Sequence, residues 1–130
     1  QLKRLDENNK KRTDNLLYFL DCLDEGIYRK DFELTGSSNY AFNMILNEKD
    51  FDLRDRVEIN LKKHGIEYRR GSAGGGNQLR QPYLKDIIPN KFWEKFPNTE
   101  HVHHFAWYVG NYPNLEKNKI KEICNVLNNI

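Results

Sequence analysis

Leu16, Phe19, Leu20, Leu23 and Ile27 recur at intervals of three and four residues, the apolar stripe of an amphipathic helix. Two more such stripes follow. Leu53, Val57 and Leu61 define the second, with Asp52 expected as its cap, Lys62, Lys63 and His64 in its last turn and Gly65 as its left-handed stop. Leu115, Ile120, Ile123, Cys124 and Leu127 define the third, with Asn114 expected to cap it. The first helix is expected to end near Gly26 and to extend backward through the polar, helix-forming residues 1–14.

Between the stripes lie only short runs with strand character. Residues 40–46 mix aromatic and aliphatic side chains after a turn at 36–39, residues 66–70 form a second short run, and 105–109 a third that ends at Gly110. Phe92, Trp93 and Phe96 lie between Pro89 and Pro97 and suit a short helix or turn. The order α, β, α, β, loop, β, α fits an α/β domain of the α+β type: a small three-stranded, mostly antiparallel sheet covered on one face by helices. Its second face would gain by docking against another domain. With 130 residues the chain is one domain long, residues 1–28 serving as a connecting helix and 36–130 as the sandwich. A first helix without a preceding turn or initiating Met suggests a fragment or processed product.

The 21 basic and 19 acidic side chains are too evenly matched for an obligate nucleic-acid binder, so any basic function must be local. No apolar run approaches the roughly 20 residues of a membrane-spanning helix. Cys22 and Cys124 both fall in helical patterns without the spacing of a disulfide framework, which suits a reducing, cytoplasmic compartment.

Function is most legible in residues 69–83, Arg-Arg-Gly-Ser-Ala-Gly-Gly-Gly-Asn-Gln-Leu-Arg-Gln-Pro-Tyr. Four glycines in six residues remove the Cβ atoms that keep a backbone away from a ligand, and amide and guanidinium donors follow at once. A polar, anionic ligand is the preferred reading, against a flexible surface turn. Neither familiar phosphate pattern applies. Gly71 and Gly76 have the separation of a phosphate-binding loop, but Asn77 and Gln78 stand where Lys and Ser or Thr are needed, and Pro82 closes the segment where a dinucleotide fold requires a long helix.

No catalytic residue is assigned, because the serines at 37, 38 and 72 sit in turns and neither cysteine has a placed base. His101, His103 and His104, read as part of an extended segment, would point to opposite sides, so no metal is expected. Arg69, Arg70 and Arg80 with Tyr68 and Tyr83 could bind a nucleotide by charge and stacking, the basis of an alternative reading as a stand-alone nucleotide or single-stranded RNA-binding module.

Taken together, Gly-Ser-Ser-Asn-Tyr-Ala-Phe-Asn-Met-Ile-Leu at 36–46, His-Gly-Ile-Glu-Tyr-Arg at 64–69, Gly76-Asn77, and Trp-Tyr-Val-Gly-Asn-Tyr-Pro at 107–113 resemble the C-terminal part of the DegT/DnrJ/EryC1/StrS aminotransferases. The resemblance is nearest to the branch that contains the sugar-nucleotide 3-dehydratases. It implies the small domain of a fold type I enzyme dependent on PLP or PMP and acting on nucleotide-linked keto-sugars, as a homodimer. The PLP-binding large domain of such an enzyme carries the cofactor and its Lys or His, so this chain alone is expected to bind no cofactor and to be inactive. By position the resemblance assigns substrate contacts to Tyr40, Arg69, Gly76, Asn77 and Asn111, and Gln78 and Arg80 join them on physical grounds. The triple glycine and residues 79–83 depart from the dehydratase pattern, which leaves the sugar and the reaction open.

Overall fold

A computed structural model describes residues 2–71 and 76–130. Four helices and three strands alternate along the chain: α1 (Leu5–Cys22), β1 (Ala41–Ile45), α2 (Phe51–Lys63), β2 (Arg69–Arg70), α3 (Pro97–Phe105), β3 (Ala106–Gly110) and α4 (Lys117–Asn128). The strands form one antiparallel sheet in the order β1-β3-β2, with Ala41 opposite Gly110, Ile45 opposite Ala106, and Arg69 opposite Tyr108. The expected α/β architecture is therefore present. Ser72 and the glycines at 74 and 75 lie outside the described residues.

Alternation along the strands decides which face the helices cover. Phe42 and Met44 of β1, with Trp107 and Val109 of β3, point inward and are buried, while Asn43 and Arg69 are exposed on the other face. Against the inward face pack Leu16, Phe19 and Leu20 of α1, Val57 and Leu61 of α2, and Ile120, Cys124 and Leu127 of α4. Phe19 stacks on Phe42 with ring centroids 4.5 Å apart, so the first helix and the first strand meet at the centre of the core.

Several element ends differ from the sequence-based expectation. Helix α1 stops at Cys22 rather than near Gly26, because Leu23 turns extended and Asp24 organises a separate turn: its carboxylate accepts from the Gly26 amide at 2.8 Å and its carbonyl from the Tyr28 amide at 2.9 Å. That turn buries Tyr28, whose hydroxyl donates to the Leu127 carbonyl at 2.9 Å. The α2 cap is Asp50, not Asp52; its side chain accepts from the Leu53 amide at 2.8 Å. Gly65, at φ +66°, supplies the expected stop, and the Ile66 amide returns to the Leu61 carbonyl. Strand β2 is thus two residues long instead of five.

At the other end of the chain, α4 begins at Lys117 with no side-chain cap, so Asn114 does not have the role expected of it. The largest correction concerns residues 97–105. They form α3 rather than an extended approach to β3, with Pro97 in the first turn where its missing N–H costs nothing. The histidines consequently lie on a helix. Cys22 and Cys124 are free thiols, and burial first of all pushes Cys124 up to about 12.

Truncating Phe42 to Ala would remove the stacking partner of Phe19 and open a cavity at the contact between α1 and the sheet. Chemical denaturation should show a loss of about 3–5 kcal/mol relative to the native sequence.

Candidate functional site

The chain leaves β2 at Arg70 and at once adopts φ +60° at Gly71, a left-handed conformation that a side chain would strain. It returns at Gly76, whose amide donates to the Gly71 carbonyl at 2.7 Å, so the two glycines pinch the base of the segment. The pinch lies against the imidazole of His103 on α3. A Cβ on Gly76 would come within 2.7 Å of the Gly71 carbonyl carbon and would also meet His103 Nδ1, so the position has no room for a larger residue.

Asn77, 2% exposed, continues the same arrangement. Its amide donates to His103 Nδ1 at 2.9 Å, its side-chain Nδ2 donates to Glu100 Oε1 at 2.8 Å, and its Oδ1 accepts from the Leu79 amide at 3.0 Å, opening a short 3-10 turn at Gln78–Arg80. Arg80 then reaches back to the same carboxylate. Its Nε lies 2.8 and 3.0 Å from the two Glu100 oxygens and a terminal nitrogen 2.5 Å from Oε2, a bidentate pair, while the guanidinium lies 4.9 Å from the centre of the Trp93 ring. The Arg80 hydrogen bond is the main reason the Glu100 carboxyl is held below its ordinary value, burial opposing it and Asn77 assisting. Trp93 belongs to the 3-10 turn Phe92–Lys95, as the proline-bounded aromatic cluster suggested.

On the sheet face away from the helices, the glycine pinch closes one side of a cavity of about 270 Å³. Phe32, Asn43, Ile45 and Tyr108 line it with Gly71 and Gly76, and Val102 of α3 borders it, so it is α1, α2 and α4 that lie on the opposite face. Arg69 is exposed and opposite Tyr108 in the ladder; Tyr40, 64% exposed, sets its ring edge-on to Tyr108 with centroids 6.1 Å apart. Gln78 is also exposed and hydrogen-bonds the Tyr83 hydroxyl. These groups can meet a polar molecule without rearrangement of the core.

Asn111 has different surroundings. It is 3% exposed at the end of β3, where its Nδ2 donates to the carbonyls of Arg12 and Asn39 at 2.9 and 2.8 Å, and its Oδ1 accepts from Asn15 Nδ2 at 3.2 Å. The residues singled out in the sequence therefore divide into exposed groups at Tyr40, Arg69 and Gln78, a glycine wall at Gly76, and the internally bonded Asn77, Arg80 and Asn111. Three further residues organise the area without having been assigned a role there: Glu100, His103 and Tyr108. Glu100 and His103 are one helical turn apart, a signal hidden when the segment is read as extended. Among the described residues no group of three or more His, Cys, Asp or Glu is arranged to hold a metal ion.

Replacing Glu100 with Gln keeps the side-chain shape but leaves Arg80 without its counter-charge. Urea denaturation near neutral pH should show a loss of about 1–3 kcal/mol. A carboxyl whose folded-state pKa is depressed stabilises the fold above its unfolded pKa and loses that contribution as pH falls through the folded value. Stability of the native sequence should accordingly decline on acidification below 4.5, and the Gln variant should decline less steeply.

The sequence profile of the DegT/DnrJ/EryC1/StrS aminotransferase family matches residues 1–128. Among solved structures, an E. coli GDP-4-keto-6-deoxy-D-mannose-3-dehydratase with bound hydrated PLP aligns with 98% of the chain and 32% of its own, at 27% identity and a TM-score of 0.78. A variant GDP-4-keto-6-deoxymannose-3-dehydratase with bound GDP-perosamine aligns with 98% of the chain and 33% of its own, at 28% identity and a TM-score of 0.80. A protein of Streptococcus pneumoniae named as a sugar aminotransferase, in its PMP form, shares the fold at 12% identity and a TM-score of 0.80, over 99% of the chain and 32% of its own. No curated protein sequence matched. The chain spans about a third of the length of these structures, and it belongs to the DegT/DnrJ/EryC1/StrS aminotransferase family.

Proposed function

We propose that residues 1–130 are the small domain of a PLP- or PMP-dependent enzyme that acts on a nucleotide-linked keto-sugar, as an aminotransferase or a 3-dehydratase. The observation that carries this reading is the alignment of 98% of the chain with one third of a 3-dehydratase at 27–28% identity. In this reading residues 1–28 connect the domain to a PLP-binding large domain, residues 36–130 form the sandwich, and the intact enzyme is a cytoplasmic homodimer.

The described residues do not themselves fit the cofactor. A Schiff base requires an amine that can be desolvated beside the ring, and none of the described lysines is buried; Lys30, partly covered, gives its ammonium to the Leu23 carbonyl at 3.1 Å. The cofactor chemistry is therefore assigned to the companion domain, and the contribution of this chain is recognition and orientation of the substrate.

Within that role the exposed and the internally bonded residues do different work. Arg69, exposed opposite Tyr108, offers a positive charge for a phosphate, and Tyr40 and Gln78 offer a phenol and an amide for sugar or base. Gly76 forms the wall beside these groups, the space of its missing side chain being taken by His103 and the Gly71 backbone. Asn77, Arg80 and Asn111 hold the segment and the strand end that present these groups, and Arg80 still exposes part of its guanidinium. The alternative as an RNA-binding module loses two of its three cations, because Arg70 and Arg80 are paired with Glu58 and Glu100.

The test uses the complete protein that carries this chain. Replacing Arg69 with Ala should raise KM for a nucleotide-linked keto-sugar at least about tenfold, the loss of a charge-assisted contact, with the absorbance of the bound cofactor unchanged. The isolated chain should give no absorbance band that borohydride reduces. A stoichiometric reducible band on the isolated chain, or steeply salt-dependent binding of single-stranded RNA, would contradict the assignment.

A further inference from the structure

His103 has a relation to the glycine segment that neither its neighbours' pairing nor the family assignment accounts for. Its ring occupies the space beside both glycines: an added Cβ on Gly71 would stand 3.7 Å from Cε1, and one on Gly76 would overlap Nδ1. The same Nδ1 lies 2.9 Å from the Asn77 amide nitrogen. A backbone N–H only donates, so Nδ1 accepts, and the imidazole is neutral with its proton on Nε2.

We propose that neutral His103 is a positioning residue, a clasp that holds Gly71, Gly76 and the Asn77 backbone in place, and that protonation of Nδ1 releases this hold. The proposal rests on the reading that the cavity lined by Gly71 and Gly76 receives the substrate. Once Nδ1 carries a proton, two N–H donors point at one another where one hydrogen bond had been. Among the described residues around the pinch, Asn77 Oδ1 is engaged by Leu79 and Glu100 by Asn77 and Arg80, so neither replaces the lost acceptor.

The charges around the ring favour the closed form. Arg80 approaches from the turn after the segment, Arg70 from β2, and His104 from the same helix, its ring edge-on at 4.7 Å. Glu100, also on α3, favours a proton on His103. Burial, then His104 and Arg80, outweigh it and keep His103 below the ordinary value of 6.5. A histidine depressed in this way stabilises the fold above its unfolded pKa, and that contribution is lost as pH falls through the folded value. The clasp is closed at neutral pH and opens on acidification.

The imidazole nitrogen resonances and the amide-exchange protection of Asn77 test this directly in the full chain, between pH 7.5 and 5. At pH 7.5 the expected signature is an unprotonated Nδ1 and a protonated Nε2. Protection of Asn77 should fall at least tenfold as His103 titrates, while the Asn111 amide, bonded to the Tyr40 carbonyl, keeps its protection. His103→Asn supplies an acceptor that does not titrate and should keep Asn77 protected with the pH dependence removed; His103→Phe fills the space without an acceptor and should leave Asn77 unprotected at both pH values. A proton on Nδ1 at pH 7.5, Asn77 protection indifferent to the titration, or a Phe variant as well protected as the native chain would each overturn the clasp. In the complete protein, KM for the nucleotide-linked sugar should rise through the same titration. If the resonances and exchange behave as stated while KM does not move, the clasp stands and the substrate-receiving role of the cavity falls.

Discussion

A single carboxylate ties the short edge strand of this sheet to the rest of the fold. Strand β2 has only two residues, too few for its ladder with β3 to hold by itself, and yet it fixes where the glycine segment begins. Glu58 of α2 supplies the missing restraint: it accepts from Arg70 Nε at 2.5 Å, from Trp107 Nε1 at 3.0 Å and from the Tyr68 hydroxyl at 3.0 Å. One acid thus joins α2, the residue before β2, β2 itself and β3. Burial resists its charge, but the three donors outweigh that resistance and keep the carboxyl below its ordinary value. Removing the acid would strand an arginine and an indole N–H in a half-dry pocket.

Glu100 repeats the same logic on the far side of the glycine segment, and the two acids together change the character of the site. Three arginines in close sequence suggest a basic patch. Folding pairs two of them with acids on neighbouring helices, leaving Arg69 exposed beside the open sheet face. In the function proposed above, Arg69, opposite Tyr108 in the ladder, is the cation offered to the nucleotide-linked sugar.

The legible parts of this fold were those set by neighbours in the chain. The stripe of Leu53, Val57 and Leu61 and the stop at Gly65 depend on residues three to four apart, and both α2 and its end follow from them. The glycine run stood out in the sequence as a place for close ligand approach, whereas the left-handed φ at Gly71 and the His103 ring against Gly76 emerge only from the fold. Caps were displaced by a few residues where several acids or amides compete, as between Asp50 and Asp52. Helix α3 was obscured because nine residues with a leading proline and three histidines carry little helical periodicity, and what fixes them is Glu100 reaching Asn77 and Arg80, 23 and 20 positions earlier. The tasks of Asn77 and Asn111 were hidden likewise: an amide reads as a ligand contact until its partners, for Asn111 as far away as Arg12 and Asn15, are in view.

The turn that ends α1 early has an effect beyond burying Tyr28. It lays residues 27–29 along the last part of β1, where Tyr28 bridges Leu46, the Arg29 amide donates to the Ile45 carbonyl and the Asn47 amide to the Ile27 carbonyl. At the opposite border β2 presents just a pair of arginines. Fibrillar association grows by zipping one molecule's unpaired strand margin onto the next, and it stalls where that margin is brief, charged or already occupied. A two-residue charged border on one side and an occupied strand end on the other leave another copy little main chain to grip.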